Sequence, residues 1–557
     1  MSDKWQVTSD KSSGFGTSLV TGHSSLTMSP AASRLALSAL LAVLAGVLYF
    51  ALRRDSTKPL AVSQTSESQP GYRLAQIYCQ GCHLFPEPAL LSQSAWEQGA
   101  LPLMAPWLGL AKPDLEKRRR DGEILSEANV FPPSPLLSLQ DWQAIQNYYK
   151  GTAPKEALPQ MERPQIRSSL AQFKVKRLAY RRDVPMTTLV KIEQGRLYVG
   201  DAMTRTLEAL NPAGERQFAV EFDSAPISLR AREGALDLTL VGRLFPSDDI
   251  KGKLLTLRPE PNDMNIAKVL GQLRRPTDTT FADLNGDGRE DFIVCQFGHR
   301  LGRLSWFENL GAGKHEEHLL SERPGAIRSQ AHDTNDDGLP DIFVVMGQAR
   351  EGIYLFVNRG QGRFEETTIV EQHPAFGYAW LELADFNRDG HIDLLTANGD
   401  NGEFVSPPKN YHGVRIYLND GQNKFSEKWF FPLNGAYKAV ADDFDRDGDL
   451  DIAAISYFPD YQKSPEESFV YLENRGGWTF DAFSFPECTL GRWITMDAGD
   501  LDGDGDSDIV LGSLILGPTT VPIPDSVQAG WKTNGPAILM LENLQVKAGN
   551  DGVGVVE

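Results

Sequence analysis

Residues 77–88 read IYCQGCHLFPEP, with two thiols three positions apart and an imidazole directly after them. Cys79, Cys82 and His83 admit four readings: a covalent haem site, a redox dithiol, half of a zinc site, or coincidence. C-x-x-C-H is the attachment signature of c-type haem. Its spacing lets both thiols form thioethers to the haem vinyls while the adjacent imidazole reaches the iron. A thioredoxin-like dithiol needs a surrounding βαβ pattern, which is missing here. A structural zinc site needs a second ligand pair, and residues 24–294 hold no His or Cys outside this cluster. The haem reading is favoured.

A second chemistry repeats along the chain. Five segments read D-x-[DN]-x-D-G-x-x-D: DLNGDGRED (283–291), DTNDDGLPD (333–341), DFNRDGHID (385–393), DFDRDGDLD (443–451) and DLDGDGDSD (500–508). Calcium takes roughly six to eight oxygens at tolerant distances. Alternate positions 1, 3 and 5 offer side-chain oxygens from one side of a tight loop, and glycine at position 6 permits the sharp turn. The carbonyl at position 7 follows, and the aspartate at position 9 closes the site. The expected ligands are therefore Asp283, Asn285, Asp287 and Asp291; Asp333, Asn335, Asp337 and Asp341; Asp385, Asn387, Asp389 and Asp393; Asp443, Asp445, Asp447 and Asp451; and Asp500, Asp502, Asp504 and Asp508. An EF-hand would need a glutamate at its twelfth position and flanking helices. Here β-rich runs follow instead, such as DIFVVMG and DIVLGSL, so these are strand–loop–strand sites for about five Ca2+.

The elements that must carry this chemistry differ in kind. GYRLAQIYCQGCHLF is a short helical pattern ending in the thiol motif. SLQDWQAIQNYYKG (138–151) places Leu139, Trp142, Ile145 and Tyr149 at helical spacing. Residues 71–151 thus resemble a small class I c-type cytochrome, with a motif-bearing first helix and an aromatic last helix. The resemblance implies one covalent haem c and a methionine as sixth iron ligand. Met104 is the only methionine between the motif and the last helix, although it lies nearer His83 than that family usually shows. Met161, past the helix, is the weaker choice.

Beyond residue 166 the pattern is all β. A strand ending in asparagine follows each aspartate loop, at Asn309, Asn358, Asn419, Asn474 and Asn543, and the same phrase occurs earlier at Asn211. ALDLTLVGRLFPSDDIKGKLLTLRP fills the gap between, making seven units and a propeller. The region resembles the FG-GAP (or VCBS) repeat propellers, the class that includes the integrin α-chain head. Phe376–Gly377 stands ahead of its loop in that pattern. The first two units lack the acidic loop, so no calcium is expected there. The last unit lacks an outer strand after Asn543, and QFKVKRLAY (172–180) is expected to supply it.

Residues 35–52, LALSALLAVLAGVLYFAL, are uncharged and long enough to cross a bilayer. A cleaved signal peptide is the alternative, favoured if translation starts at Met28; length and flanks favour an uncleaved anchor. The expected organisation is a disordered segment at 1–34, an anchor at 35–52, a linker at 53–70, a cytochrome c-like all-α domain at 71–151, a linker at 152–166 and a seven-bladed propeller at 167–550. Four cysteines are too few for a disulfide scaffold; Cys295 reads as a buried strand residue and Cys488 as a free loop thiol. The formal charge of −19 is local, because the five loops hold 21 acidic and 3 basic residues. No basic face suggests nucleic acid.

Haem attachment by this motif and plentiful calcium both belong outside a cytoplasmic membrane. The chain is therefore expected on the periplasmic face of a bacterial inner membrane, as a single-pass protein with a redox partner protein or membrane complex. The leading expectation is electron transfer, with the propeller as a partner- or ligand-binding platform. The alternatives are a cytochrome-linked dehydrogenase with its substrate on the propeller, and an adhesion protein.

Overall fold

Seven short β repeats cannot each bury an apolar face alone, so they stack around a common axis. The computed structural model describes residues 70–111, 128–260 and 263–545. The apolar stretch 35–52 and the segments before it lie outside these residues. Among the described residues no helix is long and apolar enough to cross a membrane.

The β region forms seven four-stranded antiparallel sheets. Six are built from consecutive strands, spanning residues 187–221, 226–273, 276–321, 326–372, 378–432 and 436–483. The first strands of neighbouring blades touch around the ring, and the last blade closes onto the first. Each first strand carries a register shift beside its opening pair, a bulge repeated seven times that adds local twist.

Blade 7 is the composite expected from the sequence. Trp493–Gly499, Asp508–Ser513 and Ile538–Asn543 are joined by Phe173–Lys176 as the outer strand. The register runs Phe173↔Asn543, Lys174↔Glu542, Val175↔Leu541 and Lys176↔Met540. Phe173 is buried against Phe444 and Tyr471, while Lys174 faces solvent. Lys176 pairs with Glu542, and Gln172 donates to Asn543 Oδ1 at 2.7 Å and to the Phe444 carbonyl at 3.0 Å. No sheet edge is left to open the ring at this seam. A helix not foreseen from the sequence, Asp525–Asn534, is inserted before the Ile538–Asn543 strand.

Ahead of the propeller lie two principal helices, α1 (Pro70–Cys79) and α2 (Leu139–Thr152), with a broken helical run from Gln93 to Leu108 between them. Gly71 sets the α1–α2 crossing: a Cβ there would fall 2.1 Å from the Ala144 carbonyl oxygen. Trp142, Ile145, Tyr148 and Tyr149 form the buried face of α2. Leu139, assigned to that face by its spacing, is 75 % exposed; it is the first residue after the Ser138 cap, in the helix's opening turn. Cys295 is buried in a strand, as expected. Cys488 is free but also buried, with its thiol 3.5 Å from the Pro465 carbonyl, because a short helical turn folds it inward.

Residues 153–172 are pinned rather than loose. Arg163 donates to the Pro432 carbonyl and pairs with buried Glu467. Arg167 bridges to the Phe483 strand, and Ile166 enters the core shared by blades 5 and 6.

Candidate functional site

Cys79 is the last residue of α1, and Cys82 and His83 follow in the turn beyond it. Cys79 is half-buried and Cys82 exposed; neither is in a disulfide. Burial raises the Cys79 thiol to about 11, although Tyr149 beside it pulls the other way. The Tyr149 hydroxyl donates to the Pro86 carbonyl at 2.8 Å. His83 Nδ1 lies 2.7 Å from the Leu84 carbonyl oxygen, so that nitrogen carries the proton and Nε2 keeps its lone pair.

The partner of His83 comes from the other domain. The His373 ring stands 5.0 Å from the His83 ring, centre to centre, nearly edge-on at 81°. His373 sits in the turn joining blades 4 and 5, where it caps the helical turn Pro374–Phe376 and its Nδ1 accepts from the Ala375 amide at 3.0 Å. Burial, with help from His83 and Lys409, drives the His373 imidazolium well below its ordinary pKa, so the ring is neutral at pH 7. Nothing in the sequence around His373 marks it as a partner of the motif. Only the Phe376–Gly377 pair beside it was a signal. Gly377 holds φ +67°, and a Cβ there would meet the Asp400 backbone at 2.4 Å. Phe376 stacks on Tyr411 at 4.5 Å.

The two domains are seated together at this place. Ala375, Phe404 and Tyr411 of the propeller join the apolar core of the helical domain. Gly99 lies so close to Phe404 that a Cβ would fall 2.3 Å from the ring. Tyr411 donates to the Leu90 carbonyl at 2.8 Å, and Asn410 to the Pro159 carbonyl at 2.9 Å. Met104 ends the Leu101–Met104 segment of the helical run, half-buried.

The donor set can be tested against a covalent haem. Among the described residues, the groups whose ligand atoms converge within 4.8 Å do not include Cys79, Cys82 and His83. The helical domain also exposes Ile77, Leu84, Leu103 and Trp107, apolar surface of the kind that a flat apolar ligand covers. The residues fit the group.

The five aspartate loops are organised from within. Position 1 accepts from the amide of the position 6 glycine in four of them, for example Gly338 to Asp333 at 2.7 Å. Position 3 accepts from the amide of position 5, and position 5 from that of position 7, in every loop. Position 4 is left-handed in all five, even where it is Asp336, Arg388 or Arg446, a feature the motif alone does not disclose. Carboxylate oxygens of Asp443, Asp445 and Asp447, and of Asp500, Asp502 and Asp504, gather within 4.8 Å. The other three loops carry asparagine at position 3.

The ninth aspartates, Asp291, Asp341, Asp393, Asp451 and Asp508, are fully buried. Each accepts from the backbone amide of its asparagine landmark, at 2.7–3.0 Å. Each landmark side chain in turn donates to the carbonyl of loop position 8. The recurring asparagine is thus a latch between loop and third strand. Burial raises Asp451 and Asp508 to about 7, with neighbouring loop carboxylates adding to the rise.

An FG-GAP-like repeat model matches residues 333–396 and 443–511, which contain four of the five loops. No curated protein matches the chain. Among solved structures, the N-terminal domain of Nup159 is similar at 11 % identity, covering 69 % of this chain and 99 % of that one, with a TM-score of 0.38. The Neurospora crassa Pan2 WD40 domain is similar at 8 % identity, covering 67 % and 96 %, with a TM-score of 0.40. Saccharomyces cerevisiae Sqt1 is similar at 10 % identity, covering 68 % and 100 %, with a TM-score of 0.39. The chain carries FG-GAP-like repeats on a seven-bladed β-propeller.

Proposed function

We propose that this protein is a c-type cytochrome that transfers electrons, with a calcium-stabilised propeller as its partner- or ligand-binding platform. Cys79 and Cys82 hold the haem and His83 binds its iron. The observation that carries the reading is the C-x-x-C-H set at the end of α1 with His83 Nδ1 committed to the Leu84 carbonyl, which leaves Nε2 as donor. The bound haem supplies a one-electron couple. The chain's own residues orient it: Tyr149, on the aromatic face of α2, braces Cys79. Five loops with their ligands at positions 1, 3 and 5 take calcium, and the buried ninth aspartates await a positive charge. Thioether attachment and calcium loading both favour an exported location, anchored through 35–52, with a redox partner protein docking on the platform.

The test is expression of the full chain in a host with c-type haem maturation. Covalent haem on a denaturing gel is expected for the wild type and is lost in Cys79→Ala and Cys82→Ala. A wild-type chain that matures without covalent haem overturns the reading.

A second reading, a haem-linked dehydrogenase, is favoured by one observation. Lys409 is buried and its ammonium is lowered to about 8 by burial, against the pull of Glu403, Asp400 and Glu351. It lies in the loop that seats the helical domain and could take up a proton near neutral pH. Haem reduction by a panel of alcohols, sugars and amines, abolished in Lys409→Met, would favour it over a carrier.

A further inference from the structure

We infer that His373, carried by the propeller, is the second axial ligand of the iron held by His83, so that the haem site is completed across the seam between the two domains. The inference rests on the haem reading above and replaces Met104 as sixth ligand.

The geometry points there first. Among the described residues of the propeller, His373 is the one whose ring meets that of the motif histidine. Two imidazoles on one metal stand roughly 6 Å apart centre to centre, given metal–nitrogen bonds of about 2 Å. The rings are 5.0 Å apart, about 1 Å short of that span.

The turn that carries His373 is built to hold a position. Glu351, buried, accepts from the amides of Gly377 and Tyr378 at 2.9 and 3.2 Å. His412 donates to the Ala375 carbonyl at 3.1 Å, and Asn398 to the Phe376 carbonyl at 2.9 Å. On the other side, the Trp96 ring lies 6.4 Å from His373 and 4.4 Å from Tyr149, so helical-domain aromatics wall the pair. These contacts fix the backbone of the turn that carries the ring.

The proton balance is simple. With Nδ1 accepting from Ala375, the neutral His373 ring carries its proton on Nε2. Coordination through Nε2 moves that proton to Nδ1. The Ala375 amide then loses its acceptor, and the bond to iron becomes the restraint on the ring.

The experiment uses the full chain with its haem attached. Covalent haem is first checked on a denaturing gel; its absence in the wild type overturns the haem reading and this inference with it. With haem present, electron paramagnetic resonance and near-infrared magnetic circular dichroism report the ligand pair. The expected wild type is low-spin with two imidazoles. His373→Ala loses that signature and becomes high-spin or takes another ligand, while Met104→Leu leaves it unchanged. His373→Met introduces a sulfur-to-iron charge-transfer band, which a merely misfolded variant does not. A wild-type methionine band that vanishes in Met104→Leu and survives in His373→Ala overturns the inference.

Discussion

Blades 1 and 2 share their sheet plan with blades 3–7 but not the turn between their first two strands. In blade 1 that turn is Gln194–Gly195, and in blade 2 Glu233–Gly234; three of these residues are left-handed, Gln194, Gly195 and Gly234. In blades 3–7 an aspartate loop replaces it. Two-residue left-handed turns close hairpins with the twist that strands prefer. The blade itself therefore does not need the ion.

The difference between the two kinds of blade shows in the buried carboxylates. In blade 2, burial would raise Asp237, but Arg232, Thr256 and Arg230 hold it below its ordinary range. In blades 3, 5, 6 and 7 the buried ninth aspartates are raised instead, by burial first. Blade 2 neutralises its buried acid with arginines of its own. The later blades instead crowd further acids around theirs.

The largest expected effect follows directly. A bound site at a hundredfold excess over its Kd contributes about 2.7 kcal/mol, so emptying five sites should lower the propeller's Tm by roughly 10 °C or more. Calorimetry with and without chelator measures this; equal melting would erase the contrast between the blades. On the axial-ligand inference above, a low-spin haem signal should be lost in the same transition.

Next comes the seam, which no ion holds. Phe173→Ala removes a buried ring from the closing strand and should cost about 3–5 kcal/mol. Denaturant melting should show that loss with and without calcium alike. Deleting 153–160 should cost less, since those residues supply no strand.

Smaller is a paired substitution. Asp451→Ala and Asp237→Ala should each destabilise by about 1–3 kcal/mol. Only Asp451→Ala should also shrink the chelator effect and remove one calcium per chain by metal analysis. A chelator response reduced equally by both would show that the two blade types do not differ as argued.

The last effect is on pH. In chelated protein Asp451 and Asp508 titrate near about 7, above the ordinary carboxylate value of about 4. The folded state binds those protons more tightly than the unfolded state. Their contribution is therefore full below about pH 4 and is lost as pH rises through about 7. With calcium bound the slope reverses, because ion and proton compete for the same oxygens. Melting at pH 5.5 and 7.5 in both conditions checks the sign.

The blade count, the loops and the closing strand were legible because each is written as a local repeat. Phe173, Lys174 and Val175 alternate as an outer strand must, and the asparagine landmarks mark third strands. Leu139 and Cys488 were misplaced because spacing does not say whether a helix's opening turn is covered or where a turn folds inward. His373 was not legible at all, since a histidine in a loop carries no mark of what faces it.

The chain by itself determined where the C-x-x-C-H set and the aspartate loops bring donor atoms together, since each places its donors within a few residues of one another. It also determined the ring, because identical units can bury their faces only by stacking. Only the tertiary structure decided that residues 290 positions apart, His83 and His373, would meet. That encounter depends on the closing strand, on Gly99 against Phe404 and on the pinned segment 153–172. These are long-range contacts, whose geometry is set by packing rather than by local spacing.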